Sequence, residues 1–258
     1  ERMVSRTLAQ AIEAGIDVRI NTEVSAIDHI SQLITANSAN EQEIIHYDKL
    51  IIATGASPIV PDFNQHAHKE FNHKHVYTLT SMEDGIAVKQ ALLQQDKPKV
   101  AIIGAGFIGL EMFDAAYDLG KHVTIIERES HIMSRQFSPE MIEVVEDAIR
   151  DTDTALMTNT EVKYIRDNGH GGYSIATRTN NEKQDVDIEA DIIILALGFR
   201  PNTDMFKLPK IGNGALVVDE FGATSVANVY AVGDCATVNH LVLNKPVYLP
   251  LATTANKQ

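Results

Sequence analysis

The chain has 258 residues, 44% of them apolar and 22% charged, enough for about two domains with a sizeable core. Its 22 Lys and Arg against 35 Asp and Glu leave a formal charge of −13, which argues against nucleic acid as a partner because phosphate binding needs clustered cations. No apolar run reaches the roughly 18 residues of a membrane span, no signal-like leader opens the sequence, and one cysteine excludes an internal disulfide, so the expected setting is cytoplasmic.

Residues 3–15, MVSRTLAQAIEAG, carry Met3, Leu8 and Ile12 at helical spacing. GIDVRINTEVSAIDHI (15–30) follows, then a polar turn region, then YDKLIIATGASP (47–58), an apolar strand closed by Gly55 and Pro58. HAHKEFNHKH (66–75) sets His66, His68, His73 and His75 at spacings that could pair metal ligands on a strand face. A solvated linker is the simpler reading, and no metal is expected.

KVAIIGAGFIGLEMFDAAYDLGKHVTIIERES (99–130) reads as strand, glycine turn, helix and strand. The apolar run 100–103 suits a buried parallel strand. Gly104, Gly106 and Gly109 form G-x-G-x-x-G: the first for a tight turn, the second for backbone approach to a pyrophosphate, the third for close helix–strand packing. The helix pattern ends at Leu119 with Gly120 as its stop, and its N-terminus offers N–H groups and a positive dipole end to phosphates. A second strand over 122–126 ends at Glu127, placed to accept hydrogen bonds from the adenosine ribose. Strand, helix and acid in the right places make dinucleotide binding the expectation. Glu127 favours NADH because a carboxylate repels a 2′-phosphate, whereas Arg128 could accommodate that phosphate or could be a solvated charge.

SPEMIEVVEDAIR (138–150) predicts another helix, with Ser138 as N-cap and Pro139 at its first position. Phe113 and Tyr117, at helical spacing in the earlier helix, read as packing residues. TALMTNTEVKYIRDN (154–168) and EADIIILALGFRP (189–201) then repeat the pattern of 15–58: NTEV recurs at 159–162, and the closing strand again ends in a glycine and a proline, Gly198 and Pro201. The chain thus reads as two related α/β units, each a Rossmann-like parallel sheet with an antiparallel β-meander crossover. The first copy lacks the opening βαβ that the second has. VYAVGDCA (229–236) is a further apolar strand ending in Gly233 and Asp234, where an acceptor can meet a sugar hydroxyl or cap a following helix.

The ordered set GIDVRINTEV, IIATGASP, GAGFIGLE, ALGFRPNT, VYAVGDCA and YLPLATTANK closely resembles the pyridine nucleotide–disulfide oxidoreductases, flavoproteins whose FAD domain is interrupted by an NAD(P)H domain. The PLATTANKQ ending is similar to the coenzyme A-disulfide reductase, NADH oxidase and NADH peroxidase branch. The resemblance implies FAD and NAD(P)H as cofactors, with NADH favoured. It implies an FAD domain over 1–79 and 205–258 and an NAD(P)H domain over 80–204. It places Val24 by the FAD adenine, and Ala53, Thr54 and Gly55 near its diphosphate and adenosine end. Gly233 and Asp234 fall at the ribitol. Leu251 and Ala252 would begin a helix whose N-terminus faces the flavin pyrimidine. Phe107 matches an aromatic cover for the flavin, where many relatives have Tyr, and Ile108 and Gly109 continue that helix start. Glu111 matches a glutamate near flavin and nicotinamide, with a carboxylate favoured by the helix dipole as the alternative. Gly198 falls in the closing motif of the nucleotide domain.

The family's first glycine motif, redox-active cysteine and dimerisation domain have no counterpart in this sequence, which therefore reads as the middle of a longer homodimeric protein. Cys235 aligns with a small residue after the flavin-binding Asp and is expected to be structural. The implied reaction passes hydride from NAD(P)H through FAD to a small-molecule disulfide, persulfide or oxygen, with no nucleic acid or membrane partner. Two alternatives are a nucleotide-binding fragment without turnover and a cysteine-independent flavin reductase serving a protein partner.

Overall fold

A computed structural model describes residues 6–39, 41–63, 73–94, 98–134, 136–180, 182 and 184–251. Contacts divide the chain into a split unit, Glu1–Ala56 with Pro201–Gln258, and a central unit, Ser57–Arg200. The change-over points therefore lie at 56/57 and 200/201, against 79/80 and 204/205 on sequence; residues 76–77 supply an edge strand to the central sheet.

The split unit opens with α1 (Leu8–Glu13). Thr7 caps it through a reciprocal box: its hydroxyl accepts from Gln10 N–H at 3.3 Å, and the Gln10 side chain accepts from Thr7 N–H at 2.8 Å. β1 (Glu23–Asp28), β2 (Leu33–Asn37) and β3 (Gln42–His46) form an antiparallel meander. β4 (Leu50–Ile52) follows, and β5 (Ala56–Pro58) carries the first crossing.

The central unit holds β6 (Val76–Tyr77), α2 (Met82–Gln94), β7 (Lys99–Ile103), α3 (Phe107–Asp118), β8 (His122–Ile126), α4 (Pro139–Arg150) and β9 (Ala155–Met157). Its own meander is β10 (Thr160–Asp167), β11 (Tyr173–Thr179) and β12 (Val186–Ala190), followed by β13 (Ile192–Leu195) and β14 (Phe199–Pro201). The main sheet is parallel throughout, in the order β6-β13-β7-β8-β9. Both faces are buried, which is why these strands are continuous apolar runs. Val100, Ile102, Ile125, Ile192 and Ile194 pack with α2, α3 and α4 residues such as Leu92, Ala116 and Ile149. Ala101, Ile103, Ile126 and Ile193 pack on Ile165, Tyr173 and Ile175 of the meander. α3 ends as expected, with Leu119 as C-cap and Gly120 at φ 68°. Pro139 does open α4, but the Ser138 side chain makes no capping bond; its hydroxyl bonds the Glu140 carboxylate, which is held below its ordinary pKa by its own backbone N–H and by Ser138.

The split unit resumes with β15 (Val229–Ala231), parallel to β4, and the hairpin β16 (Val238–His240) and β17 (Lys245–Val247). Its core is Ile52, Phe206, Leu208, Leu216, Val218, Val229 and Ala231, with Cys235 among them.

The sequence repeat is a structural one. Asn21 and Asn159, the first residues of the two NTEV copies, both take left-handed backbone at φ 52° and 53°. β1 and β10 then carry a register shift at the same place, between Val24 and Ala26 and between Val162 and Tyr164.

Candidate dinucleotide-binding site

The site begins where β7 ends. Gly104 N–H donates to Ile126 O at 2.8 Å, and its φ of +101° turns the chain sharply. A Cβ on Gly104 would sit 2.4 Å from Ala196 O, and one on Gly109 would sit 2.0 Å from Gly104 O. Both glycines are demanded by backbone contacts within the protein. Gly106 differs: its φ is −83°, and nothing lies within 4 Å of where a Cβ would be. Space is kept open there in front of the α3 N-terminus, whose first-turn N–H groups have no acceptor within the helix.

A cavity of about 670 Å³ in the central unit is lined by Gly104, Gly106, Glu127, Arg128 and Gly198, together with His131, Met133, Gln136, Glu161 and Val162. The structure thus gathers five of the sequence-predicted residues on one hollow. Glu127 uses both carboxylate oxygens in building it: Oε2 accepts from Ala105 N–H at 2.7 Å and Oε1 from Glu129 N–H at 2.8 Å. Each oxygen has further lone-pair capacity. Arg128 is exposed and pairs with Glu129 at 3.4 Å. Phe107, Ile108 and Glu111 lie on α3 outside that lining. Phe107 is 50% exposed and meets Phe137 edge-on, with ring centroids 6.0 Å apart. Ile108 is half-buried. Glu111 is exposed and in the second turn, so the helix-dipole alternative has no first-turn carboxylate to act on. Phe113 and Tyr117 pack together, centroids 5.7 Å apart.

In the split unit, β4 and β15 end side by side. Thr54 Oγ1 donates to Asn202 O at 2.7 Å, Asn202 Nδ2 donates to Thr54 O at 3.0 Å, and Asn202 N–H donates to Gly55 O at 2.9 Å. Ala53 and Thr54 are exposed, and Val24 is half-buried at the β1 bulge. Gly55 and Gly233 have positive φ, and no atom lies within 4 Å of a Cβ at either. Asp234 sits in the 3₁₀ turn Gly233–Cys235, and the chain leaves that turn extended into β16. Among the described residues the turn leads directly into β16, so Asp234 does not cap an adjoining helix. The Tyr248 hydroxyl is buried and has no hydrogen-bond partner among the described residues; burial, then Asp234, push the phenol up to about 12. Cys235 is fully buried, and its thiol donates to Val232 O at 3.2 Å and Ile52 O at 3.4 Å. Leu251 is exposed, and Ala252 lies outside the described residues, as do His66 and His68. His73 and His75 occupy a short 3₁₀ turn, with His75 Nδ1 3.4 Å from the Tyr77 hydroxyl.

Sequence reasoning passed over His131, Glu146 and Tyr248. A glutamate on the apolar stripe of α4 was the one available signal for Glu146.

No helix among the described residues is long and apolar enough to cross a membrane. The NADH oxidase of Streptococcus pneumoniae serotype 4 is 30% identical over 251 residues, 93% of this chain and 53% of that protein. The NAD(P)H sulfur oxidoreductase (CoA-dependent) of Pyrococcus furiosus is 32% identical over 249 residues, 94% of this chain and 52% of that protein. The chain therefore spans about half the length of the curated relatives it matches. Among solved structures, the water-forming NADH oxidase from Lactobacillus brevis bound to NADH superposes with a TM-score of 0.84 at 29% identity, covering 96% of this chain and 53% of that one. An NAD-dependent persulfide reductase from A. fulgidus gives 0.83 at 30%, covering 98% and 45%. The family described as pyridine nucleotide-disulphide oxidoreductase matches residues 2–258, and the chain belongs to that family.

Proposed function

We propose that this chain is the nucleotide-handling part of an FAD-dependent NAD(P)H oxidoreductase, in which NAD(P)H supplies a hydride, FAD accepts it, and the electrons leave to a disulfide, a persulfide or oxygen. The observation that carries the reading is the space kept open at Gly106, between a carboxylate at the end of β8 and the N-terminus of α3. Gly104 and Gly109 are fixed by the protein's own backbone, whereas Gly106 has no internal reason to lack a side chain. A pyrophosphate approaching the helix supplies one.

The residues fit that group. N–H groups at Gly106, Phe107 and Ile108 would hold the pyrophosphate, with Gly109 letting α3 come close. The remaining lone pairs of Glu127 would take the adenosine ribose hydroxyls, which favours NADH, and Arg128 and Gly198 complete the wall. Phe107, half-exposed and braced by Phe137, would exclude water from the reacting face, with Glu111 one turn further along. The split unit fits a flavin nucleotide in the same sense. Gly55 and Gly233 leave room at two adjacent strand ends, Asp234 is an acceptor there, and the Tyr248 hydroxyl is a donor in want of an acceptor. Val24, Ala53, Thr54, Leu251 and Ala252 would extend that surface. Cys235, closed in the core, would take no electrons.

The test is the visible absorption of the purified chain with added FAD. Binding of NADH to the chain is expected, and a flavin band that bleaches with NADH in the absence of oxygen would extend the reading to the split unit. A chain that binds neither nucleotide contradicts the reading.

A further inference from the structure

The glycine turn is held from outside itself. Ala105, wholly buried at its centre, is fixed at both ends: its N–H donates to Glu127 Oε2 at 2.7 Å, and its carbonyl accepts from Met133 N–H at 3.1 Å. A peptide group is planar and trans, so its C=O and N–H point in opposite directions. The Ala105 carbonyl and the Gly106 N–H belong to one such group. Holding that carbonyl toward Met133 therefore holds the Gly106 N–H away from it. Met133 is fixed in turn. It takes left-handed backbone at φ 49°, a conformation that a residue with a long side chain keeps only where its surroundings determine it. The residue before it, Ile132, is wholly buried, and its N–H donates to Glu146 Oε1 at 3.2 Å. Glu146 comes from α4, on the buried face that carries Ile142 and Ile149, and is itself 3% exposed. Arg150 Nη2 pairs with its Oε2 at 2.6 Å, and His131 Nδ1 stands 3.2 Å from its Oε1.

We infer that Glu146 is a positioning residue for the dinucleotide site: through Ile132, Met133 and Ala105 it sets the direction of the Gly106 N–H that meets the pyrophosphate. The inference rests on the dinucleotide reading above and deepens it. Glu146 touches no ligand, and its effect runs along the backbone. Without its carboxylate the buried Ile132 N–H loses its acceptor, and the chain there moves to find another. Met133, the next residue, moves with it and releases the Ala105 carbonyl. The peptide between Ala105 and Gly106 is then free to rotate, and its N–H is aimed at the phosphate only part of the time. Glu127 still holds the other peptide group of Ala105, so the turn itself survives.

The test is calorimetric titration with ADP-ribose, which carries the pyrophosphate and needs no flavin, beside amide hydrogen exchange, at a temperature where every variant is folded. Glu146→Leu fills the same space with an apolar side chain and should weaken ADP-ribose by about three- to tenfold, the size of one hydrogen bond, while the Met133 amide exchanges faster. Glu146→Ala, made beside it in case leucine does not pack, should behave alike. Glu146→Gln should restore most of the affinity: its amide oxygen still accepts from Ile132, and Arg150 keeps its pair with Asp147 at 2.8 Å. Ile149→Val, on the same buried face but outside this chain of bonds, should lower the thermal midpoint and leave both the affinity and the Met133 exchange unchanged. Unchanged ADP-ribose affinity in the leucine and alanine variants, or an equal loss in Ile149→Val, overturns the inference while leaving the dinucleotide reading intact. Failure of ADP-ribose to bind the unaltered chain overturns both.

Discussion

The parallel sheets of the central and split units are built from the same kind of apolar strand, yet they are covered differently. In the central unit every interior strand is buried on both faces, helices on one side and the β10–β12 meander on the other. In the split unit β4 and β15 turn Ile52, Val229 and Ala231 into a core, while Ile51 between them on the opposite face is 64% exposed. The meanders are near copies, down to the left-handed asparagine and the bulge. The shared part of the repeat thus sets the crossover and the closing strand. In the central unit the cavity is walled by what is packed around the sheet: a glycine turn, a helix aimed at it, and an acid at the next strand end.

The sharpest way to break the central unit alone is Gly109→Ala. The new Cβ meets the Gly104 carbonyl, a backbone group that cannot step aside, so a loss of about 3 kcal/mol or more is expected in denaturant unfolding, with the split unit's own transition unmoved. A loss below about 1 kcal/mol would mean that the close approach of α3 to the turn is not tight. Next in size, Ile102→Ala should cost about 2–5 kcal/mol, because the side chain is wholly enclosed, whereas Ile51→Ala should stay within about 0.5 kcal/mol. Equal effects from the pair would erase the contrast between the sheets.

The twin asparagines should then behave alike. Asn159→Ala and Asn21→Ala each force a Cβ residue without a local hydrogen-bonding side chain into left-handed backbone, at a cost of about 1 kcal/mol, and the glycine replacements should be tolerated. The smallest effect belongs to Tyr248. Burial pushes its phenol up to about 12, so the folded state resists losing that proton. The stability it contributes is present below about pH 10 and is lost as the pH rises toward about 12, because the unfolded chain ionises first. Tyr248→Phe should remove this alkaline loss and, by deleting a buried hydroxyl without a partner, should not lower stability at neutral pH. A variant less stable at neutral pH would show that the hydroxyl has a partner after all.

Much of this was legible in the sequence, for local reasons. The stretch 99–126 announces its strands by apolar run, its turn by glycine spacing and its helix stop by Gly120, and β7, α3 and β8 follow those signals closely. NTEV told of the repeat because four residues encode both a left-handed turn and a bulged strand. Hidden features depend on contacts between distant segments. Nothing near His131 points to Glu146, one element further along, and nothing near Asp234 points to the orphan hydroxyl of Tyr248. The turn after β15 opens into a strand, with Ala236 bridged to the distant Leu216, so Asp234 has no adjoining helix to cap.

The central claim is that the hollow at Gly106 exists for a ligand. Gly106→Ala measures it most directly: the backbone angle suits any residue and no atom stands in the way, so the fold should be kept. Titrated with ADP-ribose, the unaltered chain should bind, and the variant, equally stable in thermal unfolding, should bind at least about tenfold more weakly as its methyl group meets the pyrophosphate. Equal affinity in the two proteins would contradict the account.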